Sequence, residues 1–319
     1  MMKIVSLLPS ATEIVCALGL EKDLVAITHE CDFPKSIANL PAITASRISH
    51  ETMTSREIDH AVRSQLDGHG SIYDLDTDLL DKLRPDLILT QELCDVCAVS
   101  YKQVERAARM YVADSTVISL EPNTIEDILE TIKTVGELAG VKERANDIVA
   151  DLQDRLNRVR ERVKQDLSIA QKPSVFMLEW LEPPFSPGHW VPEQIELAGG
   201  RPLLGEPGKR SITTTYEAIQ ASQPDVLILI PCGYYIDDTL RQLENTVFPA
   251  NWEDIPAVMN NEIWALDATS YFSRPGPRII DGVEILSRIF HPAIFGEPAL
   301  TEAVRVDHST LRFSKTAAI

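Results

Sequence analysis

With 319 residues, 44% of them apolar and 24% charged, the chain is too long for one ordinary domain and apolar enough to build real cores. Its formal net charge of −18, with no basic run to offset it, repels phosphate backbones and anionic membrane surfaces. Nucleic acid is therefore excluded as a partner, and so is membrane insertion, because no stretch approaches the roughly 18 apolar residues of a span; a small-molecule ligand is expected.

Lys3–Leu8 reads as the first strand, and Pro9-Ser10-Ala11-Thr12-Glu13 opens a helix that runs to Gly19. Met1-Met2-Lys3 leads straight into that strand with no room for a secretory signal, so a cytoplasmic location is expected. Leu24–Thr28 is a second strand, ending at His29-Glu30-Cys31-Asp32. Asp76–Leu83 reads as a helix, Arg84-Pro85-Asp86 as a turn, and Leu87–Thr90 as a strand followed by Gln91-Glu92-Leu93-Cys94-Asp95-Val96-Cys97. A helix over about 101–111 and a strand at Thr116–Leu120 complete a first α/β lobe, 1–122.

Residues 123–171 are polar, Pro-free and periodic at three- and four-residue steps, which predicts a stiff helical connection that Gly136 and Gly140 can break in two. A second α/β lobe, 172–292, repeats the style. Its strands are Ser174–Leu178, Val226–Ile230 and Ile263–Leu266, and its helices Pro192–Leu197, Tyr216–Ala221 and Gly282–Phe290. Gln223-Pro224-Asp225-Val226-Leu227-Ile228 echoes Arg84-Pro85-Asp86-Leu87-Ile88-Leu89, a hint of two similar lobes. The tail 293–319 has little pattern and either docks on the body or frays.

In open parallel sheets ligands bind beyond the carboxyl ends of the strands. There the chain concentrates its reactive and aromatic residues. His29, Cys31, Cys94 and Cys97 follow strands of the first lobe. Glu179, Trp180, His189, Trp190, Glu193, Cys232, Tyr234, Tyr271, Phe272, Arg274 and Arg278 follow those of the second. Cys94 and Cys97 form a lone CxxC, which serves a metal, a redox pair or the packing of a turn. His189 and Glu193, four apart, share a helical face as ligands, or Glu193 is a first-turn acid favoured by the helix dipole. Arg274 and Arg278 sit on a Pro-Gly-Pro turn, to hold an anionic group of a ligand or to pair with local acids. Cys16 reads as a core residue, and an odd total of five cysteines argues for reduced thiols.

Several of these segments resemble the class III periplasmic-binding-protein superfamily, in particular the cobalamin-binding and iron-siderophore-binding components of ABC transporters. They are 4–13, His29-Glu30-Cys31-Asp32, 83–90, 93–97, Leu178-Glu179-Trp180, 188–193, Pro231-Cys232-Gly233 and 271–278. The resemblance implies two Rossmann-like lobes joined by a long backbone helix, with a ligand clamped between them and closure by a few degrees of rocking. Members that serve a permease carry an export signal or lipid anchor; with neither read here, a permease partner is not expected.

The function expected is therefore binding of a corrinoid (cobalamin) or another metal chelate. Trp180, Trp190, Tyr234, Tyr271 and Phe272 would form the walls, His29, His189 or a cysteine would approach the metal, and Arg274 and Arg278 would hold peripheral anionic groups. A metalloprotein or metal-dependent enzyme is the alternative, in which Cys31, Cys94, Cys97 and Cys232 with His29 or His189 close around zinc or an iron–sulfur centre. An interaction module without ligand is the third. No nucleophile elbow, P-loop, dinucleotide fingerprint or zinc-protease motif occurs, so the chain reads as a binder rather than an enzyme.

Overall fold

Short apolar strands buried on both faces require helices on either side, and that is how the two sheets are built. The computed structural model describes residues 2–46, 48–49, 52–67, 73–91, 104–105, 107–108, 110, 112–165 and 172–314. Cys94 and Cys97 lie outside the described residues.

The first lobe contains β1 (Ile4–Ser6), β2 (Leu24–Ala26), β3 (Thr44–Ser46), β4 (Tyr73–Leu75), β5 (Leu87–Thr90) and β6 (Thr116–Ser119). Its main sheet has the order β2-β1-β5-β6 with every pair parallel, while β3 and β4 form a separate antiparallel ribbon. The second lobe contains β7 (Ser174–Leu178), β8 (Arg201–Pro202), β9 (Val226–Leu229), β10 (Val247–Phe248), β11 (Ile263–Leu266), β12 (Ala303–Arg305) and β13 (Arg312–Phe313). Its sheet runs β12-β11-β9-β7-β8, parallel except for β12. The tail is therefore docked: β12 closes one edge of this sheet, and β13 pairs with β10.

The echoed phrases do the same work in both lobes. Arg84 and Gln223 end their helices in the left-handed conformation, at φ 49° and 47°. The aspartates that follow then fix the start of the neighbouring strand: Lys3 N donates to Asp86 Oδ2 at 2.7 Å, and Ser174 N to Asp225 Oδ2 at 2.8 Å. One rule of chain geometry has thus been used twice.

Between the lobes lie two helices rather than one, Ile125–Leu138 and Lys142–Gln165, parted at Gly140, whose φ of +72° is the left-handed conformation glycine adopts freely. Thr124 caps the first, accepting from Asp127 N while Asp127 Oδ2 accepts from Thr124 N. The second, 24 residues long, is the long backbone helix; Arg155 ties it to the second lobe through both oxygens of Glu284, at 3.0 and 2.9 Å. One apolar core runs through Ile4 and Ile14, across Ile132, Val135, Val149 and Leu156, and into Ile195 and Ile285. The lobes thus share a core on the side of the bridging helices.

Candidate functional site

Away from that shared core, the strand ends of the two lobes meet directly. The helix Pro9–Ala17 begins three residues beyond β1 and carries Glu13, whose side chain is only 3% exposed. The turn after β2 supplies Glu30 and Asp32. From the second lobe the turn after the short helix Ala268–Tyr271 sends both arginines across. Arg278 holds Glu13 bidentately, Nε to Oε2 at 2.8 Å and Nη2 to Oε1 at 2.6 Å. Arg274, itself buried, donates to Asp32 Oδ1 at 2.6 Å, to the Glu30 carbonyl at 2.9 Å and to Glu13 Oε1 at 3.4 Å. The Tyr235 hydroxyl also donates to Asp32. Of the two uses left open for these arginines, pairing with acids is the one observed, and the acids belong to the opposite lobe.

Aromatic rings frame the cluster. The Arg278 guanidinium lies 4.1 Å from the Phe33 ring centroid and 5.9 Å from that of Tyr271. Trp180 donates through Nε1 to the Ser55 carbonyl at 3.2 Å and meets Tyr234 edge-on at 5.4 Å. Tyr234 in turn packs with Ile58 and Val62 of the first lobe. Gln242 Nε2 donates to the Met53 carbonyl at 3.1 Å, and Arg56 pairs with Glu182 at 2.9 Å.

Other expected residues lie elsewhere. Trp190 and Phe272 are buried in the apolar core that the two lobes share, and Trp190 Nε1 donates to the Phe272 carbonyl at 2.8 Å. His189 and Glu193 turn toward the bridging helices. His189 Nδ1 is 3.3 Å from Asn123 Oδ1, and Glu193 Oε2 accepts from Ile125 N at 2.8 Å, capping the first bridging helix. Desolvation holds the His189 imidazole below its ordinary pKa, helped by Arg210, and raises that of Glu193. A groove of about 580 Å³ beside these helices is lined in part by Glu193, Glu196, Leu129 and Arg160. Glu179 braces its own loop, accepting from Gly188 N at 3.0 Å and from the Ser211 hydroxyl.

Among the described residues no three His, Cys, Asp or Glu side chains gather as a metal site. His29 Nδ1 is engaged at 2.8 Å by Thr44 Oγ1, which donates on to Thr28. The Cys31 thiol lies 3.1 Å from Thr12 Oγ1, and burial pushes its pKa up to about 11. Burial raises Cys16 as well, to about 12. Cys232 is exposed. Of the residues expected to close a zinc or iron–sulfur centre in the alternative reading, Cys31, Cys94, Cys97 and Cys232 with His29 or His189, Cys94 and Cys97 lie outside the described residues, and the other four do not gather.

The sequence signals underrated Glu13, Asp32, Ser55 and Tyr235. A glutamate in the second turn of a short helix ordinarily reads as a solvated surface acid. Its burial here follows from partners 261 and 265 residues away.

Two parallel-sheet lobes, bridged by helices along one side and meeting at their strand ends, define a cleft-type binding protein. The chain belongs to the periplasmic binding protein family, whose profile matches residues 4–269. It is 24% identical over 300 residues to the uncharacterized ABC transporter substrate-binding lipoprotein YvrC of Bacillus subtilis, covering 92% of this chain and 82% of that protein. It is 22% identical over 289 residues to a vitamin B12-binding protein of Vibrio cholerae, covering 88% and 86%. Among solved structures, a periplasmic heme binding protein from Pseudomonas aeruginosa aligns with a TM-score of 0.70 at 20% identity, over 96% of this chain and 99% of that one.

Proposed function

We propose that the protein is a substrate-binding protein whose ligand is a metal-bearing tetrapyrrole, a corrinoid or heme, held between the strand ends of the two lobes. One observation carries this: aromatic and charged side chains from both lobes converge at the lobe interface, with Phe33 and Tyr271 near Arg278, Tyr235 on the Asp32 that holds Arg274, and Trp180 reaching Ser55 of the opposite lobe. Flat apolar rings with a few fixed polar groups suit a macrocycle with a polar rim. The likeness to proteins named for vitamin B12 and for heme supports that ligand class, and the name of the B. subtilis relative supports delivery to an ABC permease.

The test is a titration of the purified chain with cyanocobalamin and, separately, with hemin, following tryptophan fluorescence and the visible spectrum of the ligand. Saturable quenching at one ligand per chain, with a shifted absorption band for at least one of the two, is the expected result. Unchanged spectra and fluorescence with both ligands would reject the proposal.

A further inference from the structure

We propose that Asp32 is a charge filter: by occupying the Arg274 guanidinium it makes the inter-lobe site discriminate against macrocycles with free carboxylates and in favour of amide-substituted ones. This rests on the tetrapyrrole reading above and narrows it.

The balance of charge at the lobe interface is the ground. Arg274 and Arg278 face two carboxylates, those of Glu13 and Asp32, while the Glu30 side chain lies beside His29, so the cluster is not electropositive. The two cations of the strand-end turns are already engaged. Arg278 is held by both oxygens of Glu13, and Arg274 by Asp32, Glu13 and a backbone carbonyl. His29 stands beside Glu30, with 3.5 Å between Nε2 and Oε1, and its desolvated ring favours the neutral form. A ligand carboxylate entering here meets no free guanidinium among the described residues. It must displace an acid that is in place or sit beside it, and like charges at close range oppose binding. A carboxamide carries no such charge, and it can both donate and accept.

Of the two acids on Arg274, Asp32 is the selective one. Glu13 is 3% exposed, and its removal would strand the Arg278 guanidinium that both its oxygens hold, so its role is structural. The Asp32 side chain is 45% exposed, and it meets Arg274 and the exposed Tyr235 at the rim, where a ligand substituent would arrive. The Phe33 ring next in sequence already stacks on Arg278, which places a flat apolar surface beside the filter.

The experiment compares the wild-type chain with Asp32→Asn and Asp32→Glu. The probes are dicyanocobinamide and dicyanocobyrinic acid, which share one corrin ring but carry amides and carboxylates respectively, with hemin as a third, dicarboxylate probe. The wild-type chain should favour dicyanocobinamide over dicyanocobyrinic acid by about tenfold or more. Asp32→Asn should shrink that ratio by about tenfold, and Asp32→Glu should restore it. A merely structural role would weaken all probes together and leave the ratio alone; thermal melts establish that the variants fold. A wild-type ratio near one, tightest binding of hemin, or an Asp32→Asn ratio equal to wild type would overturn the filter while leaving the ligand class standing. Failure of every probe to bind would overturn the ligand class, and the filter with it.

Discussion

Glu13 lies in the first helix of the chain, yet both its oxygens are taken by guanidiniums from the far end of the second lobe. Removing one partner of a buried ionic group costs far more than the pair contributes, because the remaining charges stay desolvated. Glu13→Gln should therefore lower the unfolding free energy by about 3–5 kcal/mol. A more exposed inter-lobe pair makes the control. Arg56 is 77% exposed where it meets Glu182, so Arg56→Ala should cost less than about 1 kcal/mol. Urea unfolding of both variants checks the contrast, and equal losses would contradict it. At this scale the sequence was only partly legible. Arg274 and Arg278 stood out because two cations on a Pro-Gly-Pro turn are held rigidly, but nothing local named their partners. Trp190 and Phe272 are the converse: aromatic residues near strand ends serve packing as readily as binding, and both of these are buried in the core.

At the scale of elements, the two bridging helices pack so closely at Gly136 that a Cβ there would collide with the Cβ of Ala145. Gly136→Val adds branched bulk at that crossing and should destabilise the chain by about 1–3 kcal/mol, read as a lower thermal midpoint; an unchanged midpoint would mean the helices separate without cost. The strands β1, β5, β7 and β9, and most helices, were readable from apolar runs and turn residues, because each buries a continuous apolar stretch. The helix Ser55–Asp67 was not read from the sequence, although Thr54-Ser55-Arg56-Glu57 carries a capping box: Thr54 N donates to Glu57 Oε2 at 2.8 Å, and Glu57 N to Thr54 Oγ1 at 3.3 Å. The strands β8, β10 and β13 have two residues each, too few to show any period. β12 owes its place to the edge it covers rather than to its own pattern.

Over the whole molecule the two sides of the lobe interface are unlike. On the side of the bridging helices a single apolar core crosses from one lobe to the other. On the far side the lobes are held by ion pairs, a few hydrogen bonds and the small cluster of Ile58, Val62 and Tyr234. Packed cores resist shear, whereas rim contacts such as Asp32–Arg274 can exchange with a ligand. Motion of a few degrees about the shared core would open the strand ends and leave the fold intact. The central claim is that the ligand lodges between those strand ends. Hydrogen–deuterium exchange on the intact chain, with and without saturating cyanocobalamin or hemin, tests it most directly. The account predicts protection at residues 28–33, 231–236 and 271–278 together, on both sides of the interface. Protection confined to the groove beside the bridging helices, or to the outer face of one lobe, would contradict it.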